Sequence, residues 1–318
     1  MNTLGLSTIL RLGCMCAAET VDINGIKYNV IELLGQGGFS CVELIEHTTT
    51  KRKYALKRIK CHSIDDEQLA ENEISYCKQL KHPNIIELID ACHKGAADSV
   101  IQSTSEAFLV LPYYKRGTLH DYLSLKSFSK TYLEIREIIR LFSGICQALN
   151  YMHNLRDGPI AHRDLKTGNV CLTDNLDPIL MDLGSCAPGK IQICGQQDAQ
   201  LLQDIAAERC SMTYRAPELF HVESYCVIDQ RIDIWSLGCL LYALLYFKSP
   251  FDIVYERGDS VNLAMISGNV YFPVETVFSN EIHNLIMFML KINPSERPFI
   301  DQVIDRVDEY KRQLENTV

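Results

Sequence analysis

AHRDLKTGNV occupies Ala161 to Val170, and MDLGS follows at Met181 to Ser185. A carboxylate at Asp164, an ammonium at Lys166, an amide at Asn169 and a second carboxylate at Asp182 meet the needs of phosphoryl transfer. One acid takes the proton of an attacking hydroxyl, an amide oxygen and a carboxylate hold magnesium, and the ammonium neutralises charge on the group in transit. The bland reading of HRDLK is a charged surface turn. Four fixed identities (His162, Arg163, Asp164, Asn169) arise at this spacing by chance in about one of several hundred chains of this length, which favours the chemical reading.

Toward the amino terminus, Asn24-Gly25 signals a turn and Lys27 to Leu34 alternates as a strand. Gly35, Gly37 and Gly38 follow, then Ser40, Cys41 and Val42. Glycines let backbone N–H groups approach a triphosphate, and strands on both sides make this a hairpin lid. Such a hairpin alone is more often a plain turn. It gains weight from the next strand, Tyr54 to Ile59, where Ala55 precedes an inward Lys57 whose buried ammonium needs a partner. A helix over Asp65 to Leu80 offers Glu71 and Glu73, two residues apart and therefore on different faces. Ile85 to Ala91 and Ala107 to Leu111 read as further strands, and a turn-rich linker, Pro112 to Leu119, marks a domain boundary.

Past the linker the period becomes helical. Leu133 to His153 carries a buried stripe, and a short hairpin (Val170 to Leu172, Ile179 to Met181) leads to Asp182. Asp198 to Arg209, rich in Ala, Leu, Gln and Glu, favours a helix. Ser211 and Thr213 are the expected phosphate acceptors beyond it, with Arg163 placed to pair such a phosphate; the alternative makes Thr213 a structural hydroxyl near Asp164 and Lys166. The apolar run from Asp233 to Phe247 implies a helix buried on all sides, and Asp233 within it an anchor for the backbone of the 161–170 stretch.

Composition narrows the class. A net charge of -9 and a pI near 5.5 leave no basic footprint, so nucleic acid is not an expected partner. Thirteen cysteines, an odd number without repeated spacing, do not form a disulfide framework and fit a reducing, cytoplasmic compartment. No charge-free apolar run is long enough to span a bilayer. Residues 4–12 form an apolar stretch broken by Ser7, Thr8 and Arg11, but no Lys or Arg precedes it as a signal peptide requires. Cys14 and Cys16 beside apolar residues are expected S-acylation sites at a membrane surface, against the plainer reading of an idle tail.

From about Tyr28 to Leu314 the chain resembles a eukaryotic protein kinase, and GQGGFSCV, YALKRI, LPYYKRGTL, MDLGS and CVIDQRIDIWSLGC resemble the Numb-associated group. The resemblance implies an α+β bilobal fold: a flexible segment over 1–24, a small antiparallel β lobe with one helix over 25–112, a larger helical lobe over 113–314, and a tail over 315–318. It implies an ATP- and magnesium-dependent transferase acting on serine and threonine hydroxyls of proteins, itself included, with some activity toward tyrosine. Asp164 is then the base, Lys166 steadies the phosphate, and Asn169 and Asp182 are metal ligands. Glu73, ten residues before Pro83, is the implied partner of Lys57. Gly35, Gly37, Gly38 and Val42 form the lid, while Ala55, the carbonyl of Pro112 and the N–H of Tyr114 meet adenine beside a gatekeeper at Leu111. Arg297 is the implied buried partner of Glu218. The family carries a glycine after the initiator methionine, then Cys-x-Cys, and a Golgi or perinuclear membrane address. Here Cys14-Met15-Cys16 keeps the pair, whereas Asn2 stands at the glycine position.

Overall fold

The computed structural model describes residues 19–38, 40–97 and 103–316. Six strands form one antiparallel sheet: β1 (Thr20–Ile23), β2 (Ile26–Gln36), β3 (Ser40–His47), β4 (Lys53–Cys61), β5 (Asp90–Lys94) and β6 (Ser105–Pro112), in the order β1-β2-β3-β4-β6-β5, with the apolar run Ala107 to Val110 of β6 buried. Helix α1 (Ile64–Gln79) crosses between β4 and β5, and a capping box at Ser63 and Asp66 starts it. Its buried residues, Ala70, Glu73, Ile74 and Cys77, fall three and four apart and face the sheet. The register sets Lys57 of β4 opposite Val42 of β3 and Leu109 of β6.

Two expectations are corrected in this lobe. The segment taken as flexible through residue 24 joins the sheet at Thr20, because pairing with β2 buries Val21 and Ile23 in a small core with Tyr28, Leu56 and Phe108. The strand expected at Ile85 begins only at Asp90. The Ile86 N–H donates to the Leu180 carbonyl and the Leu180 N–H to the Asn84 carbonyl, each at 2.8 Å, so the apolar run at 85 and 86 clasps the second lobe instead.

After the linker come α2 (Leu119–Phe128) and α3 (Ile135–His153), the latter burying ten residues at helical spacing. Then follow β7 (Ile160–Ala161), the hairpin β8 (Val170–Leu172) and β9 (Pro178–Leu180), β10 (Ala187–Pro188), β11 (Lys190–Cys194), α4 (Gln196–Arg209) and β12 (Tyr225–Asp229). Strand β9 ends one residue before the expected Met181, whose N–H turns to the Asn169 carbonyl. The lobe closes with α5 (Arg231–Tyr246), α6 (Asp252–Glu256), α7 (Val261–Ile266), α8 (Asn280–Met289) and α9 (Ile300–Asn316). Helix α9 continues past residue 314, where a tail was expected, because its apolar stripe runs through Val307 and Tyr310 into the core and carries the last turn with it. The architecture is thus the α+β, bilobal one expected.

Helix α5 buries every residue from Ile232 to Leu245 and is the axis of the second lobe. Burial of each large apolar side chain there contributes about 1.5–3 kcal/mol. Arg297, 2% exposed, makes a two-pronged bond to Glu218 (2.7 and 3.0 Å) and lies 5.4 Å from the Trp235 ring. Among the described residues no helix is long and apolar enough to cross a membrane, and eleven cysteines are free thiols.

Candidate active site

The 162–169 loop lies between β7, which pairs with β10, and the hairpin β8–β9. Its backbone is held from below by Asp233 of α5. Asp233 Oδ2 accepts from the His162 N–H at 2.7 Å, and Oδ1 from the Arg163 N–H at 2.8 Å. Arg163 takes a positive φ of 68°, uncommon for a side-chain-bearing residue, and this bond offsets the strain. His162, buried, places Nε2 3.1 Å from the Met181 carbonyl and so ties the loop to the residue before Asp182.

Asp164 is 8% exposed and fully engaged. Its Oδ2 accepts from Asn169 Nδ2 at 2.8 Å and lies 2.9 Å from Lys166 Nζ; its Oδ1 accepts the Ser211 N–H at 2.8 Å. Lys166 Nζ also donates to Ser211 Oγ at 2.6 Å. The hydroxyl beside Asp164 and Lys166 is therefore that of Ser211, where sequence reasoning had considered Thr213. Nor does Arg163 contact Ser211 or Thr213: its Nη2 donates to the Pro188 carbonyl at 3.4 Å, its buried Nε has no partner among the described residues, and burial lowers its pKa. Helix α4 packs over this corner, with Leu202, Ala206 and Arg209 beside Arg163.

Across the cleft, Lys57 Nζ lies 2.7 Å from both Glu73 Oε1 and Asp182 Oδ1. Burial works against the ammonium, yet the two carboxylates hold its pKa above the ordinary lysine value. Burial likewise pushes the Glu73 carboxyl up, against the pull of Lys57, whereas at Asp182 the ammonium outweighs burial and the pKa falls. Glu71 is exposed. Lys57, Glu73, Asp164 and Asp182 line one cavity of about 220 Å³ with Ser40, Gly184 and Arg209. Asn169 joins it through Asp164. Gly35 and Gly37 lie on or beside the β2–β3 hairpin, where β2 is bulged between Leu33 and Gly35, and Val42 and Ala55 lie on β3 and β4. Pro112 ends β6 opposite Tyr54, and Tyr114 lies two residues on in the linker; both lie outside the lining of that cavity. Cys14 and Cys16 lie outside the described residues.

Asn169 spends its amide N–H groups on the carbonyl and carboxylate of Asp164 and, among the described residues, its Oδ1 takes no protein donor. With Asp182 that gives two hard oxygen ligands. The described residues contain no set of three His, Cys, Asp or Glu that holds a metal by itself. Two hard oxygens suit a divalent cation that keeps several waters and is shared with a nucleotide.

A model of the protein kinase domain matches residues 28–307. The chain belongs to the protein kinase family. It is 40% identical over 297 residues to human serine/threonine-protein kinase 16, covering 93% of this chain and 94% of that protein, and equally similar to the Rattus norvegicus protein of that name. Serine/threonine-protein kinase ENV7 of Saccharomyces cerevisiae is 26% identical across 92% of this chain and 95% of its own length. This kinase is therefore of the serine/threonine type, a class that acts on proteins and uses ATP with a divalent metal. Sequence reasoning missed three features of its site: the Ser211 contacts, His153, whose Nε2 lies 2.9 Å from Asp233 Oδ2, and the position of Arg209. A basic residue closing a helix of the segment after Asp182 was the only signal for the last.

Proposed function

We propose that this kinase uses ATP and magnesium to phosphorylate serine and threonine hydroxyls of proteins, its own among them, with tyrosine as a secondary acceptor. The observation that carries this reading is the convergence of Lys57, Glu73, Asp164, Asn169 and Asp182 on one cleft. A scaffold that only binds has no chemical need for all five.

Asp164 takes the proton of the attacking hydroxyl, oriented for that step by the Asn169 amide. Lys166, 2.9 Å from it, supplies positive charge where the phosphoryl group passes, and its bond to Ser211 fixes the floor on which an acceptor hydroxyl lies. Lys57, kept charged by its carboxylates, grips the α- and β-phosphates. Asn169 and Asp182 would hold the magnesium, whose charge would offset that of the phosphate oxygens. Gly35, Gly37, Gly38 and Val42 close over the nucleotide. Ala55, the Pro112 carbonyl and the Tyr114 N–H receive adenine, and a proline at 112 removes only a donor. Thioesters on Cys14 and Cys16 hold the kinase on a Golgi or perinuclear membrane surface.

The test is incorporation of labelled phosphate from ATP and magnesium into the purified kinase and a peptide library, beside Lys57→Ala. Loss of transfer by at least about a hundredfold in the variant is expected, with serine and threonine as the main acceptors. A wild-type chain that binds ATP but transfers nothing would make this a scaffold.

A further inference from the structure

The carboxyl end of α4 meets the turn that carries Asp182 at two points. Ser185 Oγ donates to the Arg209 carbonyl at 3.1 Å, and Arg209 Nη1 donates to the Gly184 carbonyl across a long 3.5 Å. The last carbonyls of a helix lack intrahelical donors, and a basic residue in the last turn ordinarily serves its own helix and its dipole. Here the guanidinium reaches the neighbouring turn as well as its own helix, where Arg209 Nη2 lies 3.9 Å from Glu208 Oε1. The other side of that turn abuts α1: a methyl group at Gly184 would lie 2.9 Å from Glu73 Oε2. The turn is thus held between α1 and α4. Arg209 also lines the cavity of Lys57, Glu73 and Asp182, where two carboxylates share a single ammonium, and its positive charge favours the ionised Glu73 that Lys57 requires. Residues 186–210 contain no Ser, Thr or Tyr, so no phosphate within that stretch makes this tie.

We infer that Arg209 and Ser185 form a latch through which α4 presses the Asp182–Ser185 turn against Glu73, which makes Arg209 a positioning residue for phosphoryl transfer. This rests on the function proposed above. Arg209 touches no reacting group; it sets where Asp182 and the Lys57–Glu73 pair stand.

The experiment uses the full-length kinase with casein as acceptor and compares wild type, Arg209→Met, Arg209→Lys and Ser185→Ala by kcat, KM for ATP, melting temperature and hydrogen exchange of the 183–186 amides. Arg209→Met should lower kcat about tenfold, which corresponds to about 1.4 kcal/mol, with KM for ATP within about twofold. Exchange at 183–186 should quicken several-fold while melting stays within about 2 °C of wild type. Arg209→Lys should keep at least about half of kcat, and Ser185→Ala should lose about threefold with the same exchange pattern. Arg209→Met with kcat within about twofold of wild type, unaltered exchange, or a lysine variant as impaired as the methionine one would each overturn the latch. Wild-type protein that transfers nothing would remove the functional reading alone, and the exchange arm would then decide the latch by itself.

Discussion

Gly184 shows how little room the cleft leaves. Its backbone φ is not in the left-handed region, so the requirement for glycine there is one of space: the Cβ of any other residue would stand 2.9 Å from Glu73 Oε2. That oxygen ends a side chain that can yield, but yielding displaces the carboxylate from Lys57, 2.7 Å away. Gly184→Ala is therefore expected to lower kcat by tenfold or more, roughly the effect of an ångström of misplacement, while the melting temperature changes by less than about 2 °C. Steady-state kinetics beside calorimetry checks this; unchanged kcat would mean that Glu73 has slack the geometry does not show. Legibility in the sequence also divides residue by residue. Periodicity separated Glu71 from Glu73 onto different faces without saying which face was inward; the family spacing to Pro83 pointed to Glu73, and the packing of α1 on the sheet buries it. Ser211 and Thr213 were indistinguishable because their difference lies in contacts with a loop about fifty positions away.

Among the elements, α5 does most to fix the catalytic loop, through a carboxylate on an otherwise apolar helix. Asp233 is fully buried and receives the backbone N–H groups of His162 and Arg163 as well as His153. Burial alone would raise its pKa, but its donors outweigh burial and hold it below the ordinary aspartate value. The sign follows: a carboxyl depressed in the native state contributes stability that is complete above its unfolded pKa, near 3.9, and disappears as pH falls through the native value. Asp233→Asn sets an amide N–H group against these donors and should cost about 3 kcal/mol at neutral pH, read as a fall of about 5–10 °C in melting temperature. The gap between wild type and variant should narrow below about pH 4, as the wild-type carboxylate is lost. A gap that stays constant to lower pH would show that the carboxylate charge contributes nothing. An acid in an apolar run was visible in the sequence as a buried anchor, and the composition of Asp198 to Arg209 as a helix. What α4 covers was not, because the Arg163 corner is assembled from segments remote in the chain.

At the scale of the molecule, the motifs made the two lobes legible because they pair residues that only this fold brings together, such as Glu218 with Arg297, 79 positions apart. Edges were less legible: β1 and the start of β5 depend on partners that local pattern does not name. The proposed membrane address is likewise a whole-molecule property. A net charge of -9 gives no general attraction to anionic lipid, and no described helix is built to cross a bilayer. In the proposed S-acylation, burial of chain methylenes contributes about 0.8 kcal/mol each, so one chain holds only reversibly while two hold stably. Cys14→Ser and Cys16→Ser should each shift part of the cellular protein from the membrane pellet to the soluble fraction, and the double variant nearly all of it. Phosphate transfer by the purified protein should stay unchanged in all three, since neither thiol is among the residues to which the transfer chemistry is assigned. A double variant that pellets like wild type, or wild type that is soluble throughout, would remove S-acylation of this pair as the anchor.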